Sequence, residues 1–276
     1  MMSWWQALLL GIVQGLTEFL PVSSSGHLMI FKSLLGADPE GFLDFVVTVH
    51  VATVLSTFVV FWKEIVALLR GLFRFRWNDE TDYVAKLVVS MIPVGVVGLF
   101  FKDQVEGLFG DSLTTVAVCL LVTAFLLAFS DFAGRRRALS AQPGLPAARN
   151  GISYWQALAV GVGQACAVAP GLSRSGTTIA TGLLCGVKRE AMAQFSFLMV
   201  LAPILGEQLL DIVKGLGGTA PAGGGAGPLC LALGFLAAFF SGLLACRAMI
   251  ALVKKARLSW FSVYCVAVAI LIFLFA

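Results

Sequence analysis

Charge is scarce in this 276-residue chain: Asp, Glu, Lys and Arg make up 12% of it, about half the share a soluble domain carries. With 59% hydrophobic residues, that scarcity excludes a soluble globular protein and leaves a polytopic membrane protein without a separate soluble domain. No Walker-type glycine-rich loop is present, which argues against nucleotide-driven chemistry. Metal-type cysteine spacing is also missing. Cys119, Cys166, Cys185, Cys230, Cys246 and Cys265 lie in or beside apolar stretches and read as small packing residues. The first twenty residues lack a basic n-region and carry Gln14 and Glu18 in their apolar run. They are therefore expected in the mature protein rather than in a cleaved signal.

Two short polar islands interrupt the hydrophobic runs: residues 21–27, Pro-Val-Ser-Ser-Ser-Gly-His, and residues 170–178, Pro-Gly-Leu-Ser-Arg-Ser-Gly-Thr-Thr. Each follows an apolar arm, and the arms match at a shift of 150 residues. Trp5, Gln6, Ala7, Leu8, Gly11 and Gln14 recur as Trp155, Gln156, Ala157, Leu158, Gly161 and Gln164, and Ser23, Ser25 and Gly26 recur as Ser173, Ser175 and Gly176. Nine identities in 23 pairs exceed what apolar composition alone produces, so the chain is internally duplicated.

Six runs reach the roughly 20 residues that a crossing needs, at about 43–62, 84–101, 113–132, 191–213, 229–249 and 258–276. The arms beside the islands are shorter, at 4–20 with 27–36 and 154–169 with 176–186. Pro21 disfavours helix at Leu20 and lacks a donor itself, so the first arm breaks there. Each pair fits a re-entrant hairpin, with its turn buried in protein or lining a wet cavity. Loops 63–82, 133–153, 187–190 and 247–257 then share one side and hold fourteen of the 19 Lys and Arg, which makes that side cytoplasmic. Lys86 falls at the start of a span. Three spans between the hairpins, an odd number, invert the second copy relative to the first. The expected fold is all-α: six transmembrane helices plus two re-entrant helical hairpins arranged as inverted repeats. One membrane domain is expected over 1–276, with repeat 1 about 1–132, repeat 2 about 153–276 and a cytoplasmic linker at 133–152.

Glu18 and Arg174 are ionisable groups at membrane depth, where a charge costs about 2.5–3.5 kcal/mol at a helix centre. A buried ion pair tying the repeats together is the plain structural explanation, but it leaves the surrounding hydroxyls without a purpose. Ser173, Arg174, Ser175, Thr177 and Thr178 open a helix, where unpaired N–H groups and a guanidinium fork make a cradle for phosphate or sulfate. The first island has diverged. Glu18 stands where the second copy has Val168, Ser24 where it has Arg174, and His27 where it has Thr177. One copy holds an anion and the other holds acid, base and hydroxyl groups, the layout for phosphoryl transfer. Ser24 and His27 are expected to be neighbours, three apart on a helix beginning near Ser24. His50, inside an apolar run, reads as a packing histidine. Inverted repeats with broken helices also fit a secondary transporter, and architecture alone leaves that class open.

Residues 14–27, Gln-Gly-Leu-Thr-Glu-Phe-Leu-Pro-Val-Ser-Ser-Ser-Gly-His, resemble the first signature of the undecaprenyl-pyrophosphate phosphatase family of the bacitracin-resistance (BacA/UppP) type. Residues 170–178 resemble its second signature, and the likeness runs along nearly the whole chain. The resemblance implies hydrolysis of undecaprenyl pyrophosphate to undecaprenyl phosphate and inorganic phosphate, which recycles the lipid carrier for peptidoglycan. By the same likeness Glu18, Ser24, His27 and Arg174 fall on catalytic positions, and Ser23, Ser25, Ser173, Ser175 and Thr178 on substrate-binding ones. Gln14 belongs with the substrate-binding set, at a position where the family has Glu or Gln. The family's divalent cation, Mg2+ or Ca2+, would lie against Gln14 and Glu18 and bridge the pyrophosphate. Gln14 in place of a glutamate removes one carboxylate from any metal shell. The implied setting is a multi-pass protein of the bacterial inner (plasma) membrane whose site faces the periplasm or exterior. The expected partners are the polyprenyl pyrophosphate and membrane lipids, not nucleic acid, with a homodimer left open.

Overall fold

Apolar runs in lipid must satisfy their backbone polar groups internally, and every regular element among the described residues is helical. The computed structural model of the chain describes residues 2–37, 41–101, 104, 112–139, 149–169, 171–214, 227–255 and 257–275. Its helices are α1 (Trp4–Phe19), α2 (Ser24–Leu35), α3 (Phe42–Val60), α4 (Trp62–Leu72), α5 (Asp79–Phe100), α6 (Leu113–Leu139), α7 (Tyr154–Cys166), α8 (Arg174–Leu184), α9 (Arg189–Lys214), α10 (Pro228–Lys255) and α11 (Ser259–Phe275). Four stretches, Phe42–Val60, Asp79–Phe100, Leu113–Gly134 and Pro228–Val253, are long and apolar enough to cross a membrane. The chain is an integral membrane protein. Large apolar side chains such as Trp155, Leu244 and Phe275 stand exposed on its surface, as lipid contact requires.

Of the six expected crossings, α11 is apolar but only 17 residues long, and α9, with Pro203 inside it, occupies the stretch expected at 191–213. Several boundaries differ from the sequence reading. The stretch 63–82 is not a plain loop, because it contains α4, with Trp62, Leu69 and Leu72 exposed along it. Helix α5 begins at Asp79 rather than 84, because Asn78 caps it by accepting from the Thr81 N–H and acidic residues fill its first turn. Lys86 is therefore two turns inside the helix, buried, with Nζ 2.6 Å from Asp82. Helix α6 continues to Leu139, into the expected linker, of which residues 140–148 lie outside the described ones. Both hairpins have short arms: 16 and 12 residues for α1 and α2, 13 and 11 for α7 and α8. The descending arms start at Ser24 and Arg174, two or three residues earlier than expected, because the preceding serines cap them.

The two matched arms pack on helices distant from them in the chain. Helix α1 lies along α10, and its repeat mate α7 lies along α5. Gly11 and Gly161, related by the 150-residue shift, allow this contact. A Cβ on Gly11 would come within 2.9 Å of the Ala237 Cβ, and one on Gly161 within 3.0 Å of the Ser90 Cα. One buried cluster joins Phe19 of α1, Ile179 of α8, Met192 and Phe195 of α9, and Met249 of α10, so helices from both ends of the chain share a core. Helix α6 backs both turns. A Cβ on Gly26 would meet Val116, and Ser173 donates its backbone N–H to the Thr123 hydroxyl at 3.2 Å.

Candidate active site

Two capped helix starts build the site. Leu20 is extended at φ −76° and ψ 145°, so α1 ends before Pro21. Ser23 follows in the left-handed region at φ 70°, an uncommon conformation for a residue with a Cβ, and its Oγ accepts from the Gly26 N–H at 3.2 Å. In the other copy the Ser173 Oγ accepts from the Gly176 N–H at 3.1 Å. Capping orients each turn so that the first helical residue, Ser24 or Arg174, lines a common cavity.

Reciprocal hydrogen bonds join the turns. Ser175 Oγ donates to the Leu20 carbonyl at 3.1 Å, and the Gly171 N–H donates to Ser25 Oγ at 3.4 Å. Ser25 and Ser175 are repeat mates, so each copy grips the other with the same residue. The two islands, about 150 residues apart in the chain, therefore meet.

The cavity between them measures about 270 Å³, and Glu18, Ser23, Ser24, Ser25, Ser173, Arg174 and Ser175 are among the residues lining it. Glu18 Oε2 accepts from Ser24 Oγ at 2.6 Å and from Gln14 Nε2 at 2.9 Å. A carboxylate in that position holds the serine hydroxyl and can take its proton. No ion pair joins Arg174 to any described residue, so its guanidinium is not committed to a structural tie with Glu18. A narrower pocket continues past Glu18, Arg174 and Ser175 to Thr53, Thr57 and Ser196.

The remaining sequence-predicted residues lie behind the lining. Gln14 is fully buried; its amide N–H holds Glu18 and its Oε1 has no partner. His27 does not line the cavity. Its Nδ1 lies 2.8 Å from the Ser23 carbonyl, which makes that nitrogen the donor and leaves Nε2 to accept from the Tyr264 hydroxyl at 2.8 Å. The imidazole thus supports the Ser23 turn rather than contacting Ser24. Thr178 is buried and shares a 2.7 Å hydrogen bond with Ser196. Pro170 lies outside the described residues.

The lining also holds polar residues that the sequence did not assign to the site, His50 and Gln164 among them. His50 on α3 faces the site, with Nε2 3.8 Å from Glu18 Oε2 and Nδ1 donating to the Val46 carbonyl. The signal available was its position at membrane depth, where an ionisable side chain is costly. Gln164 on α7 also lines the cavity, and in the sequence it stands out only as the repeat mate of Gln14. For a divalent ion the donors at hand are Glu18 and the unpaired Gln14 Oε1, both hard oxygens. Among the described residues no group of three or more His, Cys, Asp or Glu side chains could cage a metal.

Residues 7–271 match the family described as bacitracin resistance protein BacA. The chain belongs to this family. It is 55% identical over 264 residues to the undecaprenyl-diphosphatase of Parabacteroides distasonis, covering 96% of this chain and 95% of that one. It is 53% identical to the same-named protein of Bacteroides fragilis, covering 98% and 97%, and 37% identical to that of Methanobrevibacter smithii, covering 98% and 96%. Both polar islands fall inside the matched region.

Proposed function

We propose that this chain is an undecaprenyl-diphosphatase, hydrolysing undecaprenyl pyrophosphate to undecaprenyl phosphate and inorganic phosphate and so returning the lipid carrier to cell-wall synthesis. Full-length relatives of that name support the activity. The observation that carries the chemistry is the 2.6 Å hydrogen bond from Ser24 Oγ to Glu18, made in a cavity that Arg174 also lines.

In this reading Arg174 and the N–H groups opening α8 hold the diphosphate. Ser24 Oγ attacks the terminal phosphorus as its proton passes to Glu18. The bond from that phosphorus to the bridging oxygen breaks, and its electron pair leaves with undecaprenyl phosphate, which then takes the proton from Glu18. Water attacks the phosphoserine; one of its protons goes to Ser24 Oγ and inorganic phosphate is released. The leaving group is already anionic, so clamping charge contributes more than a strong base. A divalent cation, Mg2+ or Ca2+, would be held by Glu18 and the Gln14 Oε1 together with the diphosphate. Such an ion supplies neutralisation of phosphoryl charge. His27 acts as a positioning residue through the Ser23 turn.

The crossed packing of α1 on α10 and α7 on α5, with the paired Ser25 and Ser175 bonds, supports inverted repeats built from two re-entrant hairpins. Fourteen cations on one side support a cytoplasmic face there, and a site open to the periplasm or exterior of the bacterial plasma membrane.

Purified protein in detergent should release phosphate from polyprenyl pyrophosphate, with Ser24→Ala and Arg174→Ala abolishing release. Mass spectrometry of a rapidly quenched reaction should find phosphate on Ser24. A phosphate-free Ser24 in a protein that is turning over would leave direct water attack as the route. Diphosphate binding without any turnover would favour a carrier instead.

A further inference from the structure

One buried polar side chain at the cavity has no role in the mechanism above. Gln164 is 1% exposed and lines the space between the hairpins, yet neither its Nε2 nor its Oε1 has a hydrogen-bond partner. Leaving both ends of a buried amide unpaired is costly, and native proteins rarely do so without a ligand or water to meet them.

Internal duplication indicates what is missing. The repeat mate of Gln164 is Gln14, whose Nε2 donates to Glu18 Oε2 at 2.9 Å. Glu18 stands four residues after Gln14, and the residue four after Gln164 is Val168, which also lines the cavity. The second copy therefore keeps the donor and lacks the carboxylate that receives it. In its place is open cavity beside Ser173, Arg174 and Ser175, the anion-holding side of the site.

We propose that Gln164 contacts the substrate: its Nε2–H donates to an anionic phosphoryl oxygen of the bound diphosphate. That oxygen takes the place, relative to Gln164, that the Glu18 carboxylate takes relative to Gln14. The inference rests on the diphosphate reading of the cavity. It extends that reading by giving the amide of α7 a share in recognition and by explaining why position 168 is apolar. A carboxylate there would satisfy Gln164 and repel the ligand.

The test is binding of methylenediphosphonate, a non-hydrolysable diphosphate, to full-length protein in detergent, alongside thermal melts of the ligand-free protein. Gln164→Leu and Gln164→Met should each weaken binding about 10- to 100-fold, the range for losing a hydrogen bond to a charged group. Neither should lower the melting temperature, because each removes an unsatisfied amide. Val168→Glu should weaken binding as well, while Gln164 is still present. Binding unchanged in both Gln164 variants overturns the proposal. So does weaker binding seen only where the melting temperature also falls in both, which would assign the amide to structural water. Arg174→Ala in the same assay separates the two readings. If Arg174→Ala weakens binding and the Gln164 variants do not, only this inference fails; if none does, the diphosphate site fails with it.

Discussion

At the scale of single residues, the site is a division of labour between side chains that contact the cavity and side chains that hold those in place. Glu18→Gln keeps the shape but cannot accept the Ser24 proton, so kcat should fall by about 10²–10⁴-fold, measured as phosphate release. Tyr264→Phe removes the donor to His27 Nε2 and leaves a buried acceptor unpaired. A loss of about 1 kcal/mol is expected in a detergent melt. Kinetically the change should be smaller than for Glu18→Gln, since His27 acts through Ser23. That Glu18, Arg174 and the serines would gather at one cavity was legible in the chain, because hydroxyls and charges at membrane depth need a reason. The placement of His27 was not. Spacing put it beside Ser24, but its ring reaches back one turn to the Ser23 carbonyl and sideways to α11, and only tertiary packing decides that. His50 was missed for the same reason: its meeting with Glu18 depends on how α3 lies against α1.

At the scale of helices, small residues and caps set the geometry. Gly161→Ala would push a methyl group onto the Ser90 backbone, which cannot move aside as a flexible side chain could. A destabilisation of about 1–3 kcal/mol follows, readable as a lower melting temperature. Ser173→Ala removes the acceptor for the Gly176 N–H and should cost about 1 kcal/mol as a lost cap, besides any effect on turnover. Hydropathy located the long helices because burial in lipid demands continuous apolar runs. It failed at α4 and at the first turn of α5, where charged residues are helical through caps and amphipathic packing rather than through apolar content.

For the whole molecule, the sidedness proposed from the Lys and Arg distribution is open to a labelling check. Phe75, strongly exposed in the turn after α4 among Arg74 and Arg76, belongs to the cation-rich side. In a chain with its six cysteines replaced, Phe75→Cys should resist a membrane-impermeant thiol reagent in intact spheroplasts and react once they are opened. Labelling before opening would reverse the assigned sidedness. The likeness of the two arms was visible in the sequence from matched residues such as Trp5 and Trp155, whereas their packing partners were not, because a 150-residue shift says nothing about which helix each arm lies on.

The mutual grip of Ser25 on Gly171 and Ser175 on Leu20 means that neither turn closes the cavity by itself. Warming should therefore extinguish turnover before it melts the helices. A slight parting along that seam would separate Ser24 from Arg174 while the helices still read as fully folded by circular dichroism.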